Sequence, residues 1–209
     1  MRSDATEAVI FDLGGVLIDW NPRHLYRRML ADEQAMERFL AEVCTPEWNL
    51  GLDAGRPFAE GVAELCARFP DERPLIEAWR ERWIEMIGGP IHGTVTLLEE
   101  LDAAGVPLYA LTNWSAETFP LVDGDPAFAF LRRFAAIFVS GRLGMVKPHA
   151  AIYRHALEAI GRPAARCLFI DDSAANVAGA EAVGLAAHRF TSPAALRTEL
   201  AGRGLLRTA

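Results

Sequence analysis

Four groups of polar side chains stand beside short apolar segments of this sequence. The groups are Asp12, Thr112-Asn113, Lys147 and Asp171-Asp172-Ser173. Carboxylates that are brought close together repel each other, so such a site needs either a proton or a cation between them. Mg²⁺ prefers carboxylate oxygens, and the hydroxyl and ammonium groups suit the peripheral oxygens of an anion. This combination of groups is typical of phosphoryl transfer.

The elements that must position these groups are short strands of a parallel sheet. Five apolar segments predict buried strands, at residues 8–11, 107–112, 136–140, 166–170 and 185–190. Helical periodicity between most of them predicts βαβ units, and therefore an α/β fold with a doubly wound parallel sheet. Ligands of such sheets bind outside the carboxyl ends of the strands. We therefore expect the polar groups to meet at that edge.

Residues 20–91 differ from the rest, because they contain no strand-like segment. Four helical patterns punctuated by prolines cover residues 23–30, 33–43, 58–69 and 75–87. An insertion of this length after the first strand is too long for a simple crossover. We predict a small helical cap at 20–91, on a core formed by 1–19 and 92–209. Trp79 and Trp83 have the spacing of an apolar core stripe on one helix.

The composition excludes several classes of partner. The 209 residues include 21 Lys and Arg against 28 Asp and Glu, a formal net charge of −7. This balance argues against nucleic acid or an anionic membrane as a partner. Three widely spaced cysteines form neither a disulfide framework nor a zinc pattern, and no signal-peptide core or membrane span is visible. These features predict a cytoplasmic protein, and they leave its oligomeric state open.

The polar groups belong to motifs that resemble those of the haloacid dehalogenase superfamily, in the same order. The motifs are Phe11-Asp12-Leu13-Gly14-Gly15-Val16-Leu17, Leu111-Thr112-Asn113, Lys147-Pro148 and Phe169-Ile170-Asp171-Asp172-Ser173. The resemblance covers nearly the whole chain and is greatest to small-cap, phosphatase-like members with an Asp-Leu-Gly first motif. It implies a Rossmann-like core with an inserted helical cap. It also implies Mg²⁺-dependent hydrolysis of a small phosphomonoester, with sugar phosphates among the candidates.

The resemblance implies a role for each residue that would contact the phosphoryl group. Asp12 would be the nucleophile and would form an aspartyl-phosphate. Thr112 and the backbone of Asn113 would hold the phosphoryl oxygens. Lys147 would neutralise charge on both the nucleophile and the phosphoryl group.

The resemblance also implies the ligands of the metal. Asp12, Asp172 and the carbonyl oxygen of Gly14 would bind Mg²⁺, and Asp171 would assist directly or through a water. Asn176 stands where many members of the family have another carboxylate, and it would orient the groups around the ion.

Gly14 departs from the pattern of the family's phosphatases, which usually have a second aspartate at this position. That aspartate protonates the leaving oxygen and later activates water, and such a group contributes roughly 10²–10⁴ in rate. Three explanations stay open. The substrate has a good leaving group, as an anomeric sugar phosphate does; another group, such as Asp19, His24 or His149, takes over; or the chain is a weakly active or non-catalytic phosphate-binding protein.

A 2-haloacid dehalogenase is a further alternative, because these relatives use the same nucleophile without the second carboxylate or a metal. The retained pair Asp171-Asp172 favours the phosphatase. So does Val16, which stands where dehalogenases typically have threonine. Tyr153 matches a tyrosine position that occurs in both groups.

The cap is expected to determine specificity by closing over the phosphoryl site. Asn113, Trp114 and Arg23 are the predicted substrate-binding residues. Further candidates for lining the cleft are Trp20, Trp48, Asn49, Asp53 and Arg56. Of these, Asp53 is interpreted as a turn residue in Asp53-Ala54-Gly55 that precedes a helix.

Overall fold

The computed structural model describes residues 5–207. In chain order its elements are β1 (Ala8–Phe11), β2 (Ile18–Trp20), α1 (Arg23–Met29), α2 (Glu33–Glu42), α3 (Pro46–Asp53), α4 (Phe58–Arg68), α5 (Arg73–Glu81), β3 (Ile87–Pro90), α6 (His92–Ala103), β4 (Leu108–Thr112), α7 (Pro120–Asp123), β5 (Ala136–Val139), α8 (Ser140–Leu143), α9 (Ala150–Ile160), β6 (Cys167–Asp171), α10 (Ala174–Glu181), β7 (Ala186–Arg189) and α11 (Pro193–Gly202). Within this part of the chain, no helix combines the length and apolar character needed to cross a membrane.

Five parallel strands form the central sheet in the order β5-β4-β1-β6-β7. Phe11 at the end of β1 lies opposite Ala110 of β4 on one side and Ile170 of β6 on the other. The chain first adds strands on one side of β1 and then on the other, so the strand order reverses at β1. This is the place where open α/β sheets bind ligands. The predicted doubly wound α/β fold is confirmed.

Alternate residues of β1 face two different layers of helices. Val9 and Phe11 pack with apolar residues of α6 and α11 on one face. Ala8 and Ile10 pack with α9 and α10 on the other face. All four side chains are fully buried, which explains why the strand is a continuous apolar run rather than an alternating one. The anchoring of β1 on both faces gives the residue that follows it a rigid position.

Two short strands frame the helical insertion, and one of them contradicts the prediction that residues 20–91 contain no strand. β2 and β3 pair antiparallel, with Ile18 opposite Pro90 and Asp19 opposite Gly89. The sequence signal is absent because Gly88 and Gly89 have low intrinsic β-propensity. The ladder is stabilised by its pairing with β2, which local sequence does not reveal. The division into core and cap stays a prediction, and this ladder lies at both of its predicted boundaries.

The cap helices also differ in detail from the predicted ones. The predicted helix at 75–87 is divided into α5 and a short 3-10 turn over Trp83–Met86. Helix α3 was not predicted, because Pro46 was interpreted only as a break between helices. In the structure Pro46 occupies the first turn of α3, where proline is favoured. The hydroxyl of Thr45 accepts a hydrogen bond from the Trp48 N–H at 3.2 Å and thereby caps the helix.

Candidate active site

The register of the sheet brings the predicted polar groups to one edge. The backbone N–H of Asp12 donates to the carbonyl oxygen of Ile170 at 2.8 Å, which places Asp12 next to the end of β6. Asp171 is the last residue of β6, and Thr112 is the last residue of β4 on the other side of β1. Lys147 reaches this edge from the loop before α9. Groups far apart in sequence therefore meet around Asp12.

Lys147 lies at the centre of a buried ion-pair network. Its Nζ is 3.0 Å from Oδ1 of Asp12 and 2.7 Å from Oδ2 of Asp171, and it donates to the carbonyl oxygen of Leu111 at 2.9 Å. These contacts match the three N–H bonds of an ammonium group. The side chain of Lys147 is 0% exposed. A charge buried this deeply is tolerated only when it is paired and hydrogen-bonded, as it is here.

Burial and neighbouring charges together perturb the protonation of this network. Burial by itself lowers the pKa of Lys147, but Asp12 and Asp171 outweigh burial and the pKa is raised. Burial raises the pKa of Asp12 to about 7; the charges of Asp171 and Asp172 add to this effect, and Lys147 opposes it. One ammonium group thus compensates only part of the negative charge of three carboxylates.

Asp12, Asp171 and Asp172 form a cluster of potential metal ligands. Each contributes one carboxylate oxygen, and these oxygens all lie within 4.8 Å of one another. Burial raises the pKa of Asp172, and the nearby charge of Asp171 raises it further. Hard oxygen donors with an excess of negative charge are what Mg²⁺ requires. The donor set therefore fits a magnesium ion.

The carboxylates of Asp171 and Asp12 differ in how they are held. The Asp171 carboxylate accepts hydrogen bonds from Lys147, from the Ser173 N–H at 2.8 Å and from Asn176 Nδ2, which is 3.1 Å from both oxygens. The two contacts that the structure describes for the Asp12 carboxylate both involve Oδ1, which lies 2.7 Å from the Leu13 backbone nitrogen and 3.0 Å from Lys147 Nζ. These contacts orient the Asp12 carboxylate and do not engage Oδ2.

Gly15 allows Asp172 to approach the cluster. Its φ is +71°, a left-handed conformation that favours glycine. A Cβ atom at this position would lie only 2.6 Å from Oδ2 of Asp172. Both the backbone conformation and the close approach therefore require glycine.

Asn113 fixes the loop that carries Lys147. Its Oδ1 accepts a hydrogen bond from the Lys147 backbone N–H at 2.9 Å, and its Nδ2 donates to the Lys147 carbonyl oxygen at 3.0 Å. Because the side chain of Asn113 is occupied in this way, its backbone is the part that suits a ligand. Thr112 is 1% exposed at the end of β4, directly before Asn113.

A small cavity of about 50 Å³ opens beside Gly14, and residues of the predicted cap form much of its wall. Its lining residues are Gly14, Trp20, Asn49, Asp53, Trp83, Asn113 and Trp114. Trp114 is buried and its ring packs against Trp83, with 5.4 Å between the centroids. Among residues 5–207, the indole N–H of Trp114 has no hydrogen-bond partner. Trp114 therefore lies where the sequence predicted it, with an unused donor.

A larger cavity of about 520 Å³ adjoins the small one, and Trp20 and Asn49 line both. Apolar side chains of the cap dominate its wall, and the lining residues are Trp20, Pro22, Arg23, Glu37, Leu40, Ala41, Cys44, Pro46, Glu47, Asn49 and Trp79. Arg23 forms a bidentate pair with Glu37, with both N···O distances at 2.6 Å. Arg23 thus lines the larger cavity with its charge already compensated, and it is not part of the small cavity.

The haloacid dehalogenase-like hydrolases match residues 6–184 of this chain. The chain belongs to this family. It is 32% identical to the sesquiterpene phosphatase AstK of Aspergillus oryzae, over 93% of this chain and 94% of that protein. A HAD-like hydrolase from Porphyromonas gingivalis has the same fold, with a TM-score of 0.71, 23% identity, and coverage of 94% of this chain and 98% of that one. A HAD-family enzyme from Bacteroides thetaiotaomicron, solved with magnesium and inorganic phosphate, has a TM-score of 0.65, 19% identity, and coverage of 89% and 94%.

In this haloacid dehalogenase-like hydrolase, the groups predicted to replace an acid at position 14 lie elsewhere. Asp19 and His24 pair with each other at 2.9 Å, beside Gly88 in the β2–β3 ladder. His149 is exposed at the start of α9. None of these three lines the small cavity.

The predicted cleft residues of the hydrolase divide into two sets. Trp20, Asn49 and Asp53 line the small cavity, and Asp53 ends α3, directly before the turn at Ala54 and Gly55 that precedes α4. Trp48 and Arg56 line neither of the two cavities. Trp48 donates its indole N–H to the Gly61 carbonyl oxygen at 3.2 Å, and Arg56 pairs with Glu64.

The sequence interpretation missed two functional neighbours of the site. Trp83, predicted as core, is buried but also lines the small cavity. Ser140 is fully buried; its hydroxyl donates to the Asp53 carbonyl oxygen at 2.6 Å and accepts from the Trp114 N–H at 2.8 Å. Ser140 directly follows β5, so the strand-end rule that found Asp12 would have found it too.

Proposed function

We propose that this chain is a Mg²⁺-dependent phosphatase that hydrolyses a small phosphomonoester through an aspartyl-phosphate on Asp12. The observation that carries the proposal is the buried contact of Lys147 with both Asp12 and Asp171, next to the carboxylate of Asp172. Oriented charges in a buried site suit the stabilisation of a phosphoryl group during transfer. The phosphatase name of AstK supports the same class of reaction.

The metal would be held by Asp12, Asp172 and the carbonyl oxygen of Gly14, with Asp171 contributing directly or through a water. Three carboxylate oxygens within 4.8 Å of one another, offset by a single ammonium group, support this assignment. When bound, Mg²⁺ supplies positive charge to the carboxylates and to the phosphoryl oxygens. The magnesium and phosphate complex of the Bacteroides thetaiotaomicron enzyme is consistent with such a site.

The chain's own groups would then act on the phosphoryl group in three ways. Oδ2 of Asp12 attacks phosphorus while the bonds of Leu13 and Lys147 to Oδ1 hold the carboxylate in one orientation. Thr112 and the backbone N–H of Asn113 hold the peripheral oxygens. Lys147 offsets charge on the nucleophile and on the transferred group.

The organic part of the substrate would extend past Trp114 into the larger cavity. The aromatic and aliphatic side chains of this cavity, including Trp20, Leu40 and Trp79, favour a hydrocarbon group. The name of AstK, which specifies a sesquiterpene, points to the same chemistry. Arg23 and Glu37 pair with each other in the wall of this cavity, and Arg23 would contact the substrate there. Sugar phosphates remain the second candidate class, because the charged pair offers partners for hydroxyl groups.

A panel of phosphate esters assayed with Mg²⁺ tests the proposal. The panel contains farnesyl monophosphate, sugar 1-phosphates, sugar 6-phosphates and p-nitrophenyl phosphate. We expect turnover that EDTA abolishes and that Mg²⁺ restores, with the highest kcat/KM for the isoprenoid ester. Asp12→Asn should abolish turnover without unfolding the protein. Full activity in the Asp12→Asn variant, or after complete removal of metal, would contradict the mechanism.

The same preparation distinguishes the two alternatives. A dehalogenase would release chloride from a 2-chloro acid without metal, and we expect no release. Tyr153, which both groups share, donates to the Asn176 carbonyl oxygen at 2.8 Å and is fully buried. It therefore supports α10 rather than lining either cavity. A binding protein would show no turnover over the whole panel and yet retain a phosphate-metal analogue.

We also infer a cytoplasmic location. Cys44, Cys66 and Cys167 are free, buried thiols, and reduced thiols are typical of that compartment.

A further inference from the structure

The proposed reaction leaves one proton without a carrier. When phosphorus transfers to Asp12, the bond to the alcohol oxygen breaks, and an alkoxide leaves poorly unless it receives a proton. Lys147 is not a suitable donor, because its three N–H bonds already point at Asp12, Asp171 and Leu111. A donor must therefore lie beside the small cavity, where the leaving group would be.

Asp53 is the carboxyl group from the cap that lines this cavity. The cavity is only about 50 Å³, roughly the space of a few water molecules, and Asp53 and Gly14 both line it. Asn49 Nδ2 donates to Oδ2 of Asp53 at 2.9 Å. The hydroxyl of Ser140 donates to the Asp53 carbonyl oxygen at 2.6 Å. Asp53 is therefore attached to the core although it belongs to a cap helix.

The surroundings of Asp53 suit a group that both gives and takes a proton. Burial raises its pKa to about 7, and the Ser115 N–H, the charge of Lys147 and the amide of Asn49 only partly oppose burial. An acid with a pKa near the working pH is the most effective proton carrier, because both of its forms are populated.

Gly14 contributes no side chain to the cavity. A Cβ atom at Gly14 would meet only the Cβ of Trp20, at 3.9 Å, and the φ of Gly14 is not in the left-handed range. No side chain of residue 14 therefore separates Asp53 from the region next to Asp12.

We propose that Asp53 is the general acid and general base of this active site, a role that rests on the proposed phosphatase function. In the first step the P–O bond to the alcohol breaks, the P–O bond to Asp12 forms, and the Asp53 proton moves to the alcohol oxygen. In the second step water attacks phosphorus, the bond to Asp12 breaks, and the Asp53 carboxylate takes the proton from water. The products are the alcohol and phosphate, and Asp53 regains its initial form.

The test compares Asp53→Asn with the wild type on two substrates. For the best aliphatic ester of the panel, kcat/KM should fall by about 10²- to 10⁴-fold, because the leaving group needs a proton. For p-nitrophenyl phosphate, whose leaving group needs none, kcat/KM should fall by less than about 10-fold. Dephosphorylation still needs a base. The variant should therefore release a burst of one nitrophenolate per enzyme and accumulate phospho-Asp12.

Two further variants separate this chemical role from a structural one. Asp71→Asn removes an exposed carboxylate of the cap and should leave both substrates unaffected. Gly14→Asp in the Asp53→Asn background adds a carboxylate at another residue that lines the same cavity, and its Cβ would make only an ordinary contact with the Cβ of Trp20, at 3.9 Å. The double variant should have a kcat/KM for the aliphatic ester at least about 10-fold above that of Asp53→Asn. This gain is a part of the rate factor that a positioned acid contributes.

Each outcome of this experiment decides the matter. Equal losses on both substrates, with no burst and no phosphoenzyme, would overturn the role of Asp53 and leave the phosphatase function intact. An Asp53→Asn variant with wild-type activity on the aliphatic ester would do the same. A wild type without turnover on any ester, or an Asp12→Asn variant with full activity, would overturn the phosphatase function and this proposal with it.

Discussion

Gly15 lies directly beside the Asp172 carboxylate, so replacing it with alanine should weaken metal binding more than it weakens the fold. Two costs are separable in this variant. The left-handed φ of +71° penalises any side chain by roughly 1–2 kcal/mol. In addition, the new Cβ would lie 2.6 Å from Oδ2 of Asp172, well inside an ordinary contact of 3.4 Å. The carboxylate must therefore turn away from the position in which it meets Asp12 and Asp171.

Gly105→Ala is the matched control, because it has the first cost without the second. The φ of Gly105 is +73°, and a Cβ atom there would meet nothing within 4 Å. In EDTA, both variants should lose the roughly 1–2 kcal/mol of the backbone cost in urea denaturation, because the Asp172 side chain can turn away from the new Cβ when no metal holds it. Only Gly15→Ala should show an additional loss of the stabilisation that Mg²⁺ confers on the wild type.

The magnitude of the metal effect follows from the displaced ligand. Disturbing a group that orients a metal ligand typically costs 10- to 100-fold in affinity, and we expect about this loss for Gly15→Ala. Calorimetric titration with Mg²⁺ and the Mg²⁺ dependence of phosphatase activity both measure it. If Gly15→Ala and Gly105→Ala bind Mg²⁺ equally well, then Asp172 is not a ligand or its position does not depend on Gly15, and the reasoning fails.

Three other variants test the energetics of the site. Lys147→Met should lower the unfolding free energy by about 3–5 kcal/mol in urea denaturation, because it leaves Asp12 and Asp171 buried without a counter-charge. Adding Asp171→Asn to this variant should recover part of the loss. A loss below about 1 kcal/mol would argue against the pairing. Asp53→Asn should gain stability over the wild type as the pH rises. The pKa of Asp53 is about 7 in the folded chain, against an ordinary value of 3.8. The bound proton therefore stabilises the folded wild type fully below pH 3.8, and this stabilisation, at most about 4 kcal/mol, is lost as the pH rises to 7. Thermal unfolding at pH 4 and pH 8 measures the difference between variant and wild type, and an equal difference at both pH values would contradict this prediction. Ser140→Ala should cost about 1–3 kcal/mol and raise KM, because the hydroxyl joins Asp53 to Trp114; an unchanged melting temperature would refute this link.

The sheet and the position of Asp12 at its edge could be predicted from local sequence. The sequences of β1 and β6 are short apolar runs, and their residues are fully buried. Such a run predicts a buried strand without any knowledge of the segments that pack against it. The rule that parallel strands present ligand sites at their carboxyl ends then brings Asp12 and Asp171 together. The order of the motifs supplied the roles proposed for these residues, which spacing alone does not supply.

Only part of the structure of residues 20–91 could be predicted from sequence, because its strands and buried side chains depend on contacts between segments. The glycine-rich strand β3 exists through its pairing with β2, and its sequence has no strand signal. The burial of an aspartate, and the rise in pKa that burial causes, are likewise invisible in sequence. Asp53-Ala54-Gly55 has the composition of a turn, and only the folded chain buries the carboxyl group against the core and raises its pKa to about 7.

Sequence alone thus determined the fold class, the parallel sheet and the set of residues that surround Asp12. Those features follow from side-chain periodicity and from strand-end geometry, which act over a few residues or are common to all parallel sheets. The tertiary structure decided which cap residues line the small cavity, how Lys147 distributes its contacts, and that Arg23 is compensated by Glu37. These features depend on distances between segments that are remote in sequence. Such distances determine how deeply a group is buried and how strongly its neighbours' charges change its pKa.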